Sequence, residues 1–339
     1  MQTQKNTTSK QYTKKIINWK EYTNSLRKRG KISIHIDEAL ATRAFKKPLP
    51  THKAGHPVEY SDALILLMLT IAELFHLRLR QTEGFMADFL PSMGIYWQLP
   101  DYTTLSRRAK KLKVQLLPYG HYLGSSEPLH LCIDSSGFKI YGEGEWKVRK
   151  HGADKRRSWR ESHIALDYST RDIVALRNTA DHVHDNTQLL PLLADTERNL
   201  NKAGSKRTLS SVIGDGAYDS NENYHHADNL GAIFISPPKK HAEVHARMRK
   251  HRIYEDEQWL ARNFVVKRCM AIGQEEWKKE VGYHRRSLVE NAFYRLKTIF
   301  GERLSMRTEA NQYTEQCIRA RLINKFNTYG LPKYAIVAN

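Results

Sequence analysis

Three acidic residues sit where they could do phosphoryl chemistry. Asp134 ends the apolar run LHLCID, Asp215 follows LSSVIG, and Glu290 lies inside YHRRSLVENAFYRLK. In α/β proteins, functional groups gather beyond the carboxyl ends of strands, where loops present them and the strands fix their positions. If the strands ending at Asp134 and Asp215 are neighbours, their carboxylates converge, and like charges at short range oppose ionisation unless a cation lies between them. Mg²⁺ suits such a place, with Mn²⁺ as its substitute, because it takes hard oxygen ligands and leaves room for phosphate oxygens and waters. Two ions held close together would activate the attacking oxygen and stabilise the leaving one.

A plainer reading stands beside this one: an Asp after a strand is most often a turn or cap residue. Glu290 also has two readings. Tyr283, Arg286, Glu290 and Lys297 recur at helical spacings, so Glu290 can be the exposed i, i+4 partner of Arg286. Yet Val289, Phe293, Leu296 and Phe300 form an apolar stripe beside that face, which would set Glu290 at the edge of a cleft with Lys297 two turns on, placed for a phosphate. Asp185, in HVHDN, is a weaker candidate for the chemistry and reads first as the N-cap of the following helix; Asp181 and Asp219 read as loop or capping residues.

The elements that must position these groups follow from periodicity. Residues 1–50 read as a basic arm with one or two short elements. A helical domain is expected over 51–125. Its first helix starts near Ser61 and is too apolar to be solvated; a shorter one is stopped by Pro91; a third, capped by Asp101 or Thr103, runs on to about 114. That last helix has Leu105, Ala109 and Leu112 on one face and Arg107, Arg108, Lys110, Lys111 and Lys113 on the other, as a helix-turn-helix reader of the DNA major groove would. From 126 to 330 the pattern is α/β: a strand ending at Asp134, a hairpin of 162–168 with 172–177, a helix over 186–201, a strand over 208–213, a helix over 221–229 and a strand over 232–236. Helices over 285–300 and 318–329 complete it, and 240–280 gives no clear packing. This order indicates a mixed sheet covered by helices.

Composition narrows the partners. Lys and Arg number 55 against 36 acidic residues, a formal charge of +19, while 40% hydrophobic residues exclude a chain disordered throughout. The excess is concentrated in 1–60, in 147–160 and in 239–252, and separated basic patches suit phosphate contacts along double-stranded DNA. Arg156 and Arg157, with Arg107 and Arg108, are candidate DNA contacts. Three cysteines, at 132, 269 and 317, are too few and too far apart for a disulfide scaffold or a paired-cysteine zinc site. The longest apolar run, 63–72, is about half of what a bilayer crossing requires, and no signal peptide is evident. The expectation is a cytoplasmic protein with no membrane contact.

The spacing Y-x2-R-x3-E-x6-K at Tyr283, Arg286, Glu290 and Lys297 resembles the C-terminal signature of insertion-sequence transposases of the IS4 and IS5 groups, closest in pattern to the IS5 family. LCIDSSGFKIYGEGEW, IGDGAYDS, HVHDNTQLLPLL and PDYTTLSRR agree with it. The resemblance implies an RNase H-like catalytic core with a DDE triad of Asp134, Asp215 and Glu290, each a ligand for Mg²⁺. It also implies DNA-end contacts by Tyr283, Arg286 and Lys297, an N-terminal helical DNA-binding domain, and a homodimer or higher synaptic complex. One departure is Glu161-Ser162 where Lys-Leu is more usual, which removes a positive charge. The implied activity is metal-dependent cleavage of transposon ends and strand transfer into target DNA. A nuclease without strand transfer and a non-catalytic DNA-binding regulator are the alternatives.

If phosphate contacts dominate binding, affinity for duplex DNA falls steeply as salt rises, because each Lys or Arg on a phosphate releases counterions. Affinity measured across a salt series should give a straight, steep log–log line. A flat line would remove the phosphate reading of the basic patches.

Overall fold

The computed structural model describes residues 12–41, 60–117, 122–140, 159–249, 252–254 and 256–338. In chain order the elements are β1 (Tyr12–Ile16), α1 (Trp19–Arg29), α2 (Ile32–Ala41), α3 (Asp62–Leu74), α4 (Leu79–Ser92), α5 (Tyr102–Ala109), β2 (Leu129–Ile140), β3 (Trp159–Asp167), β4 (Ile173–Ala180), α6 (Leu189–Lys202), β5 (Leu209–Ile213), α7 (Asn221–Asn229), β6 (Ile233–Ile235), β7 (Arg247–Arg249), β8 (Arg252–Tyr254), α8 (Glu257–Ile272), α9 (Gln274–Glu280), α10 (Ser287–Phe300), β9 (Arg303–Leu304), α11 (Glu309–Thr328) and β10 (Tyr334–Ala338).

The central sheet runs β4-β3-β2-β5-β6, with β9 pairing the far end of β2. β2, β3 and β4 are antiparallel neighbours, whereas β2, β5 and β6 are parallel. Leu131, Ile133, Ile164, Leu166, Val174, Val212 and Ile213 are buried in its core. Their β-branched and leucine side chains suit a sheet covered on both faces.

β2 is longer than its apolar run. Asp134 does not close the strand but lies in its middle, because Ser135, Ser136 and Gly137 keep pairing with β3, opposite His163, Ser162 and Glu161. Alternation along β2 therefore sorts its side chains between two faces. Cys132, Asp134, Ser136 and Phe138 face α10 and the turn before it: Cys132 Sγ donates to the Arg285 carbonyl, and Phe138 packs tilted against Phe293 at 6.5 Å between centroids. Leu129 and Leu131 instead share a cavity with Leu190, Leu193 and Leu200 of α6.

Helix α3 starts at Ser61, whose hydroxyl accepts from Leu64 N, and Asp101 caps α5 by accepting from Thr104 N at 2.8 Å. Pro91 lies in the last turn of α4 rather than stopping it, and α5 ends at Ala109, short of the expected 114. The expected arm is also corrected for the part described. β1 pairs with β10, and Ile36 and Ala39 of α2 are buried in the core. Pro48, Pro50 and Pro57 lie outside the described residues. In the unassigned 240–280 region, α8 packs on α7, and Arg262 of α8 makes a two-pronged ion pair with buried Asp219, its Nε at 2.7 Å and Nη2 at 2.9 Å from the carboxylate oxygens. Asp219 ends the 3-10 turn Gly216–Tyr218 as its C-cap and is a structural anchor as well.

Helix α11 begins nine residues before its expected start and is buried along most of its length. It carries polar groups into the core because each is paired. Arg319 Nε donates to Glu73 of α3 at 2.7 Å, and its Nη2 donates to Glu315 at 2.6 Å. Glu315 also accepts from the backbone N–H groups of Ser305 and Met306. Asn324 bonds both the N–H and the carbonyl of Ile173 on edge strand β4. α11 therefore ties the N-terminal helices to the sheet.

Burial pushes the Glu73 carboxyl upward, against the pull of Arg319. Arg319→Met should leave two buried carboxylates unpaired and cost about 3–5 kcal/mol of stability at neutral pH. The loss should shrink as pH falls, since a raised carboxyl binds its proton in the folded state first and folding then gains from acid. Urea unfolding at two pH values checks both; an unchanged midpoint at neutral pH would contradict the pairing.

Candidate functional site

The parallel pairing of β2 with β5 keeps a constant offset: Leu131 stands opposite Val212 and Cys132 opposite Ile213. Two residues further on, the same offset sets Asp134 beside Asp215. Gly214 lets the chain leave β5 closely, since a Cβ there would lie 3.2 Å from Ile133 and 3.1 Å from the Tyr218 ring. Asp215 also turns its own backbone, its Oδ1 accepting from Ala217 N at 2.9 Å. The capping reading of Asp215 is thus correct as far as it goes, and its other oxygen remains turned to the site.

The late helix supplies the rest. Arg286 ends a 3-10 turn, Tyr283–Arg286, directly before α10, whose apolar stripe of Val289, Phe293, Leu296 and Phe300 is buried. That anchoring points Arg286 and Glu290, one turn apart, at the carboxyl end of β5. Arg286 Nη2 donates to Asp134 Oδ2 at 3.1 Å and lies 3.8 Å from Asp215 Oδ2, while Nη1 donates to Glu290 Oε1 at 2.6 Å. One guanidinium thus gathers all three carboxylates. The i, i+4 ion pair expected from spacing is present, but it is shared with both aspartates. Side-chain exposure rises from 14% at Asp134 through 34% at Asp215 to 53% at Glu290, with Arg286 at 20%. The site is therefore a cleft closed at Asp134 and open at Glu290. Burial pushes the Asp134 carboxyl up to about 6, against the opposing pull of Arg286.

Other groups surround this core. Lys297 Nζ donates to Ser136 Oγ at 2.7 Å and sits over the Phe138 ring. Tyr283 is half-buried, with its phenol pushed up to about 12 by burial. Tyr283 opens the turn that Arg286 ends, and Lys297 lies two helical turns beyond Glu290. Arg108 is engaged elsewhere: it bonds the Tyr60 carbonyl at 2.8 Å and Asp62 at 2.5 Å, tying α5 to the start of α3, while Arg107 is exposed and bonds Thr104. Arg156 and Arg157 lie outside the described residues.

Two further acids lie on the neighbouring stretch of the sheet: Asp185, the weaker candidate of the sequence reading, and Glu161, which that reading did not place in the site. Asp185 is not an N-cap; His184 holds that position and the turn shows no side-chain cap bond. Instead its Oδ1 lies 3.6 Å from Nδ1 of the buried His163, and burial raises its carboxyl. Glu161 stands opposite Gly137 of β2, and burial raises its carboxyl. The HVHDN spacing gave chiefly a cap signal, since an approach to His163 on another strand leaves no local pattern.

The oxygen-only donor set of Asp134, Asp215 and Glu290 is the kind a hard divalent cation takes. The residues fit such an ion in chemistry. Among the described residues, however, no group of three or more His, Cys, Asp or Glu is arranged to hold a metal; the guanidinium stands among the carboxylates instead. Nor is any described helix long and apolar enough to cross a membrane.

A family described as transposase DDE domain matches residues 125–325, which contain the whole central sheet, α10 and most of α11. A second family of the same description matches residues 27–143, across the N-terminal helices and into β2. The first match alone spans more than half of the chain, and the protein belongs to the DDE transposase family.

Proposed function

We propose that this chain is a DNA transposase that cuts transposon ends and transfers the freed strand into target DNA, with Asp134, Asp215 and Glu290 as its catalytic triad. The observation that carries the reading is the meeting of these three carboxylates, from β2, the end of β5 and α10, at one point on the cleft. A five-strand order with an antiparallel hairpin on one side and parallel strands on the other supports an RNase H-like core.

Mg²⁺, or Mn²⁺ in its place, would be held by Asp134, Asp215 and Glu290 and would supply charge at the phosphate and activation of the attacking oxygen. The residues of the chain do the remaining work. Asp134 is fixed by its strand and half enclosed, so its carboxylate holds one position while DNA arrives. Glu290, on the exposed rim, closes the site from the helix side. In hydrolysis a water oxygen bonds to phosphorus, and the bond to the 3′ oxygen breaks, leaving a 3′-OH. In transfer that 3′-OH bonds to a target phosphorus as the target's own 3′ oxygen leaves. Lys297, Tyr283 and Arg286 border the cleft, and their charges and hydroxyl suit contact with the phosphates of the end duplex. Arg107 of α5, with the exposed Lys110, Lys111 and Lys113 just beyond it, is the part of the helical region suited to duplex DNA, and cutting two ends in concert calls for at least a homodimer.

The test uses an end-sequence duplex and a target plasmid. Asp134→Asn, Asp215→Asn and Glu290→Gln should each fold, retain end binding in band-shift assays, and lose cleavage by several orders of magnitude. The wild type should form joined product with Mg²⁺ or Mn²⁺ and none in excess chelator. Cleavage without joined product would make the protein a nuclease instead. Undiminished cleavage by all three variants would overturn the triad.

A further inference from the structure

We propose that a pocket on the side of α10 away from the cleft binds a nucleoside phosphate, its phosphate among Arg29, Arg171 and Arg295 and its base at the rim tyrosines. The proposal goes beyond the reading of the triad and does not depend on it.

Its basis is the second face of α10. Glu290 and Lys297 lie along one face of this helix, toward β2 and the cleft. Leu288, Asn291, Arg295 and Ile299 recur at spacings of three and four, so they share another face, turned away from the first. That second face walls a pocket of about 600 Å³, which Tyr22 and Arg29 of α1, Arg171 of the β3–β4 turn and Tyr334 of β10 complete. The walls are tied together: Asn18 Nδ2 donates to the Leu331 carbonyl at 3.1 Å, and Asn18 Oδ1 accepts from Lys333 N at 2.7 Å. A pocket of this size takes a small organic molecule and is far larger than an inorganic anion needs.

Three arginines line this pocket and no acid does. Asp172, next in the chain to Arg171, is buried and accepts from Asn327 Nδ2 at 2.7 Å. The arginines are held in place while donors stay unused. Arg29 stands over the Phe326 ring at 5.3 Å, and its Nε is buried without a partner among the described residues. Arg295 Nη1 donates to Asn327 Oδ1 at 2.9 Å, and its Nη2 is likewise buried and unpartnered. Nδ2 of the same Asn327 donates to the Arg171 carbonyl at 2.8 Å, so one amide fixes two sides of the pocket. Arg171 has a φ of 63°, the left-handed conformation that glycine or asparagine usually takes in a hairpin turn, and an arginine is kept there despite the strain. Buried donors without partners call for an acceptor, and the guanidinium fork matches phosphate oxygens.

The rim names the rest of the ligand. Tyr294 and Tyr334 line the pocket and are exposed, so each leaves a ring face open beside the arginines. Bases stack on such rings whatever their sequence, because every base has a π-face. Charge points the same way: burial, and then the charge of Arg29, push the Arg295 guanidinium down to about 10, and a phosphate between them would relieve that repulsion.

The test is photocrosslinking of the full-length protein, with adducts mapped by mass spectrometry. The probes are 5-iodo-2′-deoxyuridine, its 5′-monophosphate, and a short single-stranded oligonucleotide carrying one such base. The monophosphate should label Tyr294 or Tyr334 about tenfold more than the nucleoside does, as charged hydrogen bonds to its phosphate require. Labelling of these tyrosines by the oligonucleotide but not by the monophosphate would assign the pocket to a DNA strand; labelling by the monophosphate alone would assign it to a free nucleotide. Arg295→Gln and Arg171→Gln should keep the circular dichroism of the wild type and lose the labelling by about tenfold. If Arg295→Gln fails to fold for want of its bond to Asn327, Arg171→Gln decides. Adducts on Tyr283 alone, equal labelling by the nucleoside, or wild-type labelling of a folded Arg171→Gln protein would overturn the proposal.

Discussion

Carboxylates repel one another, and this fold brings three of them together. The constraint that follows is a positive charge at their meeting point, and Arg286 supplies it, bonded to Asp134 and Glu290 and within reach of Asp215. The positions of the three acids come from different sources: strand register for Asp134, a tight departure from β5 for Asp215, and a buried helical stripe for Glu290. None of these would hold the groups together against their mutual repulsion without the guanidinium.

The rest of the molecule keeps that meeting point in place. Ser136 and Phe138 continue the Asp134 face of β2 and receive Lys297 and Phe293 of α10, so helix and strand are joined along their length. Behind them, α11 fastens the sheet to the N-terminal helices through Arg319, Glu73 and Glu315. At the opposite end of β3, buried Asp167 pairs with Arg207 and with the Ser169 hydroxyl, which fixes the hairpin turn. Each buried charge here has a partner, as burial requires.

The sequence made much of this legible. Alternation and apolar runs located β5, β6, α7 and the start of α3 to within a residue or two, and Asp134 was expected beside Asp215 if their strands were neighbours, as β2 and β5 are. The misplaced boundaries have physical causes. SSG after Asp134 looks like a turn, yet it is strand because β3 pairs with it across the cleft. α11 was read from its apolar C-terminal half alone, because Asn311, Gln312, Glu315 and Gln316 look solvated while they are buried and, in the main, bonded to distant backbone or side chains. α8 shows no one-sided periodicity, and its attachment depends on Arg262 reaching Asp219, forty-three residues away. Arg286 and Lys297 were expected at phosphates. In the structure both are already engaged by side chains of β2, a pairing that only three-dimensional proximity reveals.

The central claim is that Arg286 occupies the position of a cation among the carboxylates. The most direct measurement is the thermal stability of Arg286→Gln in chelator and in Mn²⁺, each compared with the wild type. The account predicts a variant that melts well below the wild type in chelator and recovers most of the difference when Mn²⁺ is added, because an ion can then neutralise the acids that the arginine had held. Equal melting temperatures in chelator would contradict it.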